Sequence, residues 1–491
     1  MWKRTVARSM GSAEYRWPIR VLGLFALIYA LVFVPNHLLF RTYALDLGLY
    51  THAAVTYAHG HLADCRLFLG SGQPLLADHF DLHLMLWAPL TWLFGQWTLL
   101  LVQWVAVLAG GWGMWCWLRE LGASPSTATW GLVHFLAFFG IYGAFTFDFH
   151  SNVVATMAFP WYGLALAKQR KAWAWLLLLF MLSAKENMGI WLCFVAIGFL
   201  VHQGKDKAMR WMLAAQAFTA LAWSTVVIGL VMPALAGGVP YVGWKYPALG
   251  SGPLDAVRIL ALHPAQVFQG LLDGGDVPEG HAIKQEMLML LCIAGGWALL
   301  LRPWILLMAV PLLLQKLLHA GPAQWGVLGH YSVEFAPLCT MAVFTWPPVR
   351  MGTRAGKVLA VLATVGSIAV AVHVMDASIY KENRARQRVY QADHYSRDYD
   401  VPAVRRLLRG IPSGAAVSAS AAFVPHLVSH RDLYLYPVLD HAQVIVLATK
   451  EEPYPLSRDE FAASQDTLRR SVHWAEAEQC DGAVMYTRKT P

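Results

Sequence analysis

Long apolar stretches separated by short polar ones fill most of the chain. A bilayer crossing needs roughly 20 mostly apolar residues. The first such run is Val21–Phe40, preceded by Lys3, Arg4, Arg8, Arg16 and Arg20. Positive charge ahead of a first span holds the N-terminus in the cytoplasm, and no small-residue cleavage site follows, so the run reads as a retained anchor. Further runs fall near Trp97–Leu118, Ser126–Phe145, Val153–Ala167, Ala172–Ala184, Met188–Val201, Trp211–Leu235, Met287–Leu301, Trp304–Leu318, Phe335–Trp346 and Val358–Met375. The pattern predicts about eleven transmembrane helices.

Charge placement orients them. Arg119, the Lys168, Arg170 and Lys171 group, the Lys205, Lys207 and Arg210 group, Arg302, and the Arg350, Arg354 and Lys357 group all fall on one side. That asymmetry marks the cytoplasmic face. Counting Leu82–Phe94 as a span would move Lys168–Lys171 to the other face, so that segment reads as a helix at the outer interface, anchored by Trp87 and Trp92. The long outer loops are then Arg41–Gln96 and Pro233–Glu286.

Beyond Tyr380 the pattern shortens to that of a small α/β domain. Asp400 caps a predicted helix Val401–Arg409 with Pro402 in its first turn. Strands are predicted at Ala416–Ala421, Leu433–Tyr436, Val444–Ala448 and Ala483–Thr487, with a helix over Leu456–Glu478. The predicted division is residues 1–376 as a membrane domain and 377–491 as an extracytoplasmic α/β domain.

Composition agrees with this division. Of 491 residues, 57% are hydrophobic and 14% charged, whereas an ordinary soluble domain carries about 25% charged residues. This excludes a soluble enzyme, a disordered chain and a fibrous repeat. Of the 68 charged residues, 29 lie from Ser378 onward. The six cysteines show no metal-ligand spacing; a Cys65–Cys480 disulfide is conceivable where both face an oxidising compartment. No GxGxxG or Walker motif is present.

The candidate chemistry lies at one predicted face. It comprises Asp46; Asp78 and His79, followed by Asp81 and His83; Asp148 and His150; Lys185 and Glu186; Arg258; and His330 with Tyr331. All but Arg258 have a structural alternative: a helix cap for Asp46, a solvated interfacial face for Asp78–His83 (which could also hold a metal), the end of a span in water for Asp148 and His150, an ion pair for Lys185 and Glu186, interface residues for His330 and Tyr331. Ionisable groups at membrane depth are costly and face bundle interiors or wet cavities. Leaving Arg258 aside, five segments bring them to the same level. Glycosyl transfer from a lipid-phosphate sugar needs such a set. A carboxylate takes the acceptor proton, and cationic or hydrogen-bonding groups hold the leaving phosphate.

The combination of DLG at Asp46–Gly48, HF at His79–Phe80, FH at Phe149–His150, KEN at Lys185–Asn187, HY at His330–Tyr331 and PHL at Pro425–Leu427 resembles a family of bacterial multi-spanning proteins of unknown function, related to the GT-C superfamily of membrane glycosyltransferases. The resemblance implies a GT-C fold with interfacial helices in the first outer loop. It implies an acidic base early in that loop, which maps onto Asp46, and a polyprenyl-phosphate sugar as donor. The paired acidic motif common in that superfamily is absent, since Asp46 stands alone until Asp64. The need for a divalent cation is therefore left open, and no metal ligands are assigned.

The resulting expectation is an inverting glycosyltransferase in the bacterial cytoplasmic membrane. Asp46 is catalytic, and Asp78, His79, Asp148, His150, Lys185, Glu186, Arg258, His330 and Tyr331 bind substrate or phosphate. The partners are the bilayer, the lipid-linked donor and a lipid, glycan or protein acceptor, with no nucleic acid. The alternatives are a transporter or flippase of lipid-linked glycans, and a non-catalytic assembly protein.

Overall fold

The computed structural model describes residues 13–68, 72–203, 206–239, 241, 243–380 and 383–489. Lys3, Arg4, Arg8 and Lys205 of the orientation argument lie outside them. Among the described residues, five helical segments are long and apolar enough to cross a membrane: Glu14–Leu38, His83–Glu120, Lys207–Leu235, Gly280–Leu300 and Arg354–Asp376. The predicted run Ser126–Phe145 is two helices, Pro125–Leu136 and Phe139–Phe145, bent by 45°. Counted as one span, they make a sixth. Lys171–Leu182, Met188–His202, Pro303–Leu317 and Phe335–Phe344 are shorter apolar helices. The chain is thus a multi-helical membrane body with a small sheet at its end, with five or six helical segments of spanning length among the described residues where the sequence pattern predicted about eleven.

The segment expected at the interface, Leu82–Phe94, consists of short pieces. Helix His83–Trp87, a 3-10 turn Ala88–Leu90 and helix Thr91–Phe94 follow one another. Gly95 then bends the backbone at φ 52° ahead of the helix Thr98–Glu120. Trp92 and Leu93 are 67% and 75% exposed, which suits side chains that meet lipid.

The chain forms two compact units. The first comprises the described parts of Met1–Leu31, Gln103–Val231 and Pro240–Gln387. Its helices approach closely where side chains are small. A Cβ on Gly140 would lie 2.3 Å from the Ser332 carbonyl oxygen, and one on Gly143 would lie 2.6 Å from that of Gly329. These two glycines, one helical turn apart, therefore seat the loop Gly329–Glu334 directly on the helix Phe139–Phe145.

The second unit comprises Val32–Val102, Met232–Val239 and Arg388–Pro491. Its sheet has strands β1 (Val417–Ala419), β2 (Leu433–Leu435), β3 (Val444–Ala448), β4 (Trp474–Cys480) and β5 (Ala483–Arg488) in the order β2-β1-β3-β5-β4. β1 pairs in parallel with β2 and β3, whereas β5 pairs antiparallel with β3 and β4. The helix Val401–Arg409 is capped as expected, the Asp400 carboxylate accepting from the Ala403 N–H at 2.9 Å.

The predicted helix Leu456–Glu478 is corrected. It spans only Arg458–Arg469, where Ser457 and Glu460 close a capping box. The rest is β4. The run Trp474-Ala-Glu-Ala-Glu-Gln-Cys480 has a two-residue polar alternation, and Asp481-Gly482 after it is a hairpin turn, with Gly482 at φ 102°. The pairing of Cys480 with Ala483 across that turn sets the register. All six cysteines are free thiols, so Cys65 and Cys480 are not joined.

The tail and the first loop hold each other within this unit. Arg41 donates to the carbonyl oxygens of His394, Asp393 and Ser396 at 2.6, 2.6 and 2.7 Å. Arg397 donates to those of Leu39 and Phe40 at 2.7 and 3.0 Å. These carbonyls lie at and just past the C-terminal end of the first helix, where the last C=O groups have no helical partner.

Candidate functional site

The loop Gly329–Glu334, held against Gly140 and Gly143, forms one wall of a cavity of about 60 Å³ inside the first unit. The turn Lys185–Asn187 and the helix Pro303–Leu317 supply further walls. Lys185, Lys316, His330, Tyr331, Glu334 and Asn152 give the cavity its polar lining, and Met188, Trp191 and Leu312 its apolar part. Two lysines and one glutamate line a small space within the helical body. An anionic group with hydrogen-bonding oxygens fits that chemistry.

The polar residues are tied to one another. Asn152 donates to the Glu334 carboxylate at 2.9 Å. Burial pushes the Glu334 carboxyl above its ordinary value of 4.5, while the Asn152 bond and the Lys316 and Lys185 charges pull it down. Lys316, only 2% exposed, directs its ammonium toward the Tyr331 carbonyl oxygen at 3.5 Å. The His330 ring stacks on His150 with centroids 3.5 Å apart, and Phe147 stacks on His150 at 5.6 Å. Beside the cavity, Glu186 accepts from the Tyr241 hydroxyl at 3.1 Å.

Of the expected site residues, Lys185, His330 and Tyr331 line this cavity, and His150 supports it through His330. Asp148 is engaged elsewhere: its carboxylate pairs with Arg386 at 2.8 Å, and both side chains are under 10% exposed. Arg258 is exposed on the helix Pro253–Leu262 and does not line the cavity. Sequence reasoning missed Lys316 and Trp191, and it did not assign a role to Asn152 and Glu334, which lie in the same polar segments as His150 and His330. Lys316 carried a readable signal, as a lysine inside the apolar run Pro303–Leu317.

Asp46, Asp78 and His79 belong to the second unit. Asp46 is half-buried at a kink, with φ 67° and ψ −94°. The helix after it, Leu49–Ala58, begins from Gly48 without a side-chain cap. The DLG turn packs against the Val424–His426 turn of the tail, where a Cβ on Gly48 would meet Val424 Cγ1 at 2.8 Å. This turn brings together two of the motifs that carried the resemblance. His79 Nδ1 bonds the Asp78 carboxylate at 2.5 Å, and the Asp81 carboxylate accepts from the His83 N–H at 2.9 Å. Among the described residues, no group of three or more His, Cys, Asp or Glu side chains is arranged to hold a metal ion.

A family profile described as a predicted membrane protein, DUF2079, matches residues 36–485. The chain belongs to the DUF2079 family. No curated protein matches it. Among solved structures, this DUF2079 protein is similar to ArnT from Cupriavidus metallidurans, crystallised bound to undecaprenyl phosphate, at 12% identity and a TM-score of 0.52, covering 97% of this chain and 98% of that one. It also matches an Archaeoglobus fulgidus oligosaccharyltransferase tethered to an acceptor peptide, at 13% identity and a TM-score of 0.42, covering 88% of this chain and 65% of that one. The likeness to ArnT shows the fold alone: this DUF2079 protein shares the overall fold of that structure along nearly its whole length.

Proposed function

We propose that this DUF2079 protein transfers a sugar from a polyprenyl-phosphate-linked donor to a lipid, glycan or protein acceptor at the outer face of the bacterial cytoplasmic membrane. The observation that carries the reading is the lysine-bearing cavity within a fold shared with ArnT. The undecaprenyl phosphate bound to ArnT supports a lipid phosphate as the ligand. In this reading about eleven spans put residues 377–491 on the extracytoplasmic side, beyond a membrane domain of 1–376.

The chemistry assigns each group a role. Asp46 takes the proton from the acceptor hydroxyl as its oxygen attacks the anomeric carbon of the sugar. The bond from that carbon to the phosphate oxygen breaks, and polyprenyl phosphate leaves with the electron pair. Attack from the face opposite the phosphate inverts the anomeric centre. Lys185, Lys316 and His330 stabilise the charge that grows on the phosphate. Tyr331 and Glu186 border that group, while Asp78, His79 and Arg258 stay candidates for binding substrate or phosphate.

The test uses the full chain in lipid nanodiscs with undecaprenyl phosphate as probe, read by native mass spectrometry. Wild type is expected to bind one lipid phosphate, and the K185M/K316M double variant to lose at least about tenfold in affinity, the scale of one or two charge-assisted hydrogen bonds. Equal binding by both proteins overturns the phosphate assignment. Transport of a lipid-linked glycan by D46N at the wild-type rate in proteoliposomes overturns the transferase reading.

A further inference from the structure

We infer that Asp148 and Arg386 form a buried clamp that positions the His150–His330 pair at the cavity, so that Asp148 is a positioning residue and not a ligand of substrate. The inference rests on the phosphate reading of the cavity for its functional consequence, but its structural content stands apart from it.

The carboxylate is engaged within the protein. Asp148 Oδ1 accepts from the Arg386 guanidinium at 2.8 Å, with side chains only 5% and 8% exposed. Removing one partner of such a pair leaves an uncompensated buried charge. The backbone at Asp148 is held as well. Its φ is 66°, a left-handed conformation that non-glycine residues adopt at a cost. Gln103 spans the turn from a separate helix, donating to the Asp148 carbonyl oxygen at 2.9 Å and accepting from the His150 N–H at 3.0 Å. Arg386 also lies 5.8 Å over the Phe147 ring. Phe147 stacks on His150, and His150 stacks on His330 at 3.5 Å.

The chain of contacts thus runs from Arg386 to a ring that lines the cavity. Each link has a distinct physical purpose. The ion pair fixes the side chain of Asp148. The amide of Gln103 fixes the peptide on either side of Phe149. The aromatic stack carries the fixed geometry to His330. Arg386 is held from its own side too, because the next residue, Gln387, accepts at its carbonyl oxygen from the Tyr142 hydroxyl. The segment following the last long helix is thereby pinned to the wall of the site.

The experiment compares wild type, R386M, R386K and the neutral double variant D148N/R386M in nanodiscs. Two readouts are taken: a cryo-EM structure of the His150–His330 region, and affinity for undecaprenyl phosphate alongside Tm. The double variant leaves no unpaired buried charge and guards against simple unfolding of R386M. The inference expects R386M and D148N/R386M to lose the His150–His330 stack and to bind at least about tenfold more weakly. It expects R386K to keep the stack and recover most of the affinity at unchanged Tm. Retention of the stack in D148N/R386M overturns the clamp. Loss of the stack with unchanged affinity overturns its functional consequence. If wild type binds no lipid phosphate while the variants still lose the stack, the clamp stands and the phosphate reading falls.

Discussion

Asp46 is the residue where conformation and proposed chemistry meet. Its φ of 67° and ψ of −94° suit glycine better than aspartate. Strain of this kind costs on the order of 1–3 kcal/mol and persists where the surroundings impose it. Asp46→Gly is therefore expected to keep or raise Tm while abolishing transfer; a fall in Tm of several degrees would show that the carboxylate is structural. Glu334 gives a second prediction at this scale. Its folded pKa is raised by burial above the ordinary 4.5. The folded state then holds the proton more tightly than the unfolded chain, so stability falls as pH rises from about that ordinary value through the raised one. Glu334→Gln removes the titrating group. The difference in Tm between variant and wild type should shift in the variant's favour as pH increases across that window, and a pH-independent difference would refute the assignment.

At the scale of elements, the loop Gly329–Glu334 depends on the strip of Gly140 and Gly143 beneath it. A Cβ at Gly140 would meet backbone, which has no flexible end to move aside. Gly140→Ala is expected to displace the loop and to weaken undecaprenyl phosphate binding as strongly as K316M, with the helix content unchanged by circular dichroism. In the tail, Ser457→Ala breaks the capping box and is expected to cost about 1 kcal/mol in stability. The same region shows why one element was misread. Polar alternation over Trp474–Cys480 and the Asp481-Gly482 turn favour a hairpin, yet the residues there are tolerated in helices, and the capping signal at Ser457 has no equally plain stop before Arg469.

For the whole molecule, the contacts group Val32–Val102 with Arg388–Pro491. The end of the first helix is bonded to the tail by Arg41 and Arg397, and the first loop by Arg66, whose guanidinium reaches both Asp64 and Asp432. Burial and the coulombic pull of Arg397 act oppositely on Glu451, with burial dominant, so its carboxyl sits above the usual range while still ion-paired at 2.7 Å. Deletion of Arg388–Pro491 is expected to leave the first loop open to protease within minutes under conditions where the intact chain resists; equal resistance would show that the loop folds without the tail.

The sequence by itself determined the membrane body, most helix positions, the α/β character of the tail and the identity of Lys185, His330 and Tyr331 as residues of interest. These follow from hydropathy, caps and rare polar residues, all local in the chain. Only the tertiary structure decided that Asp148 is bonded to Arg386, 238 positions away, that Lys316 and Glu334 share a cavity, and that the DLG turn lies on the Pro425-His426 turn. Those pairings depend on which helix faces meet and how closely their glycines let them approach, and spacing along the chain does not encode that.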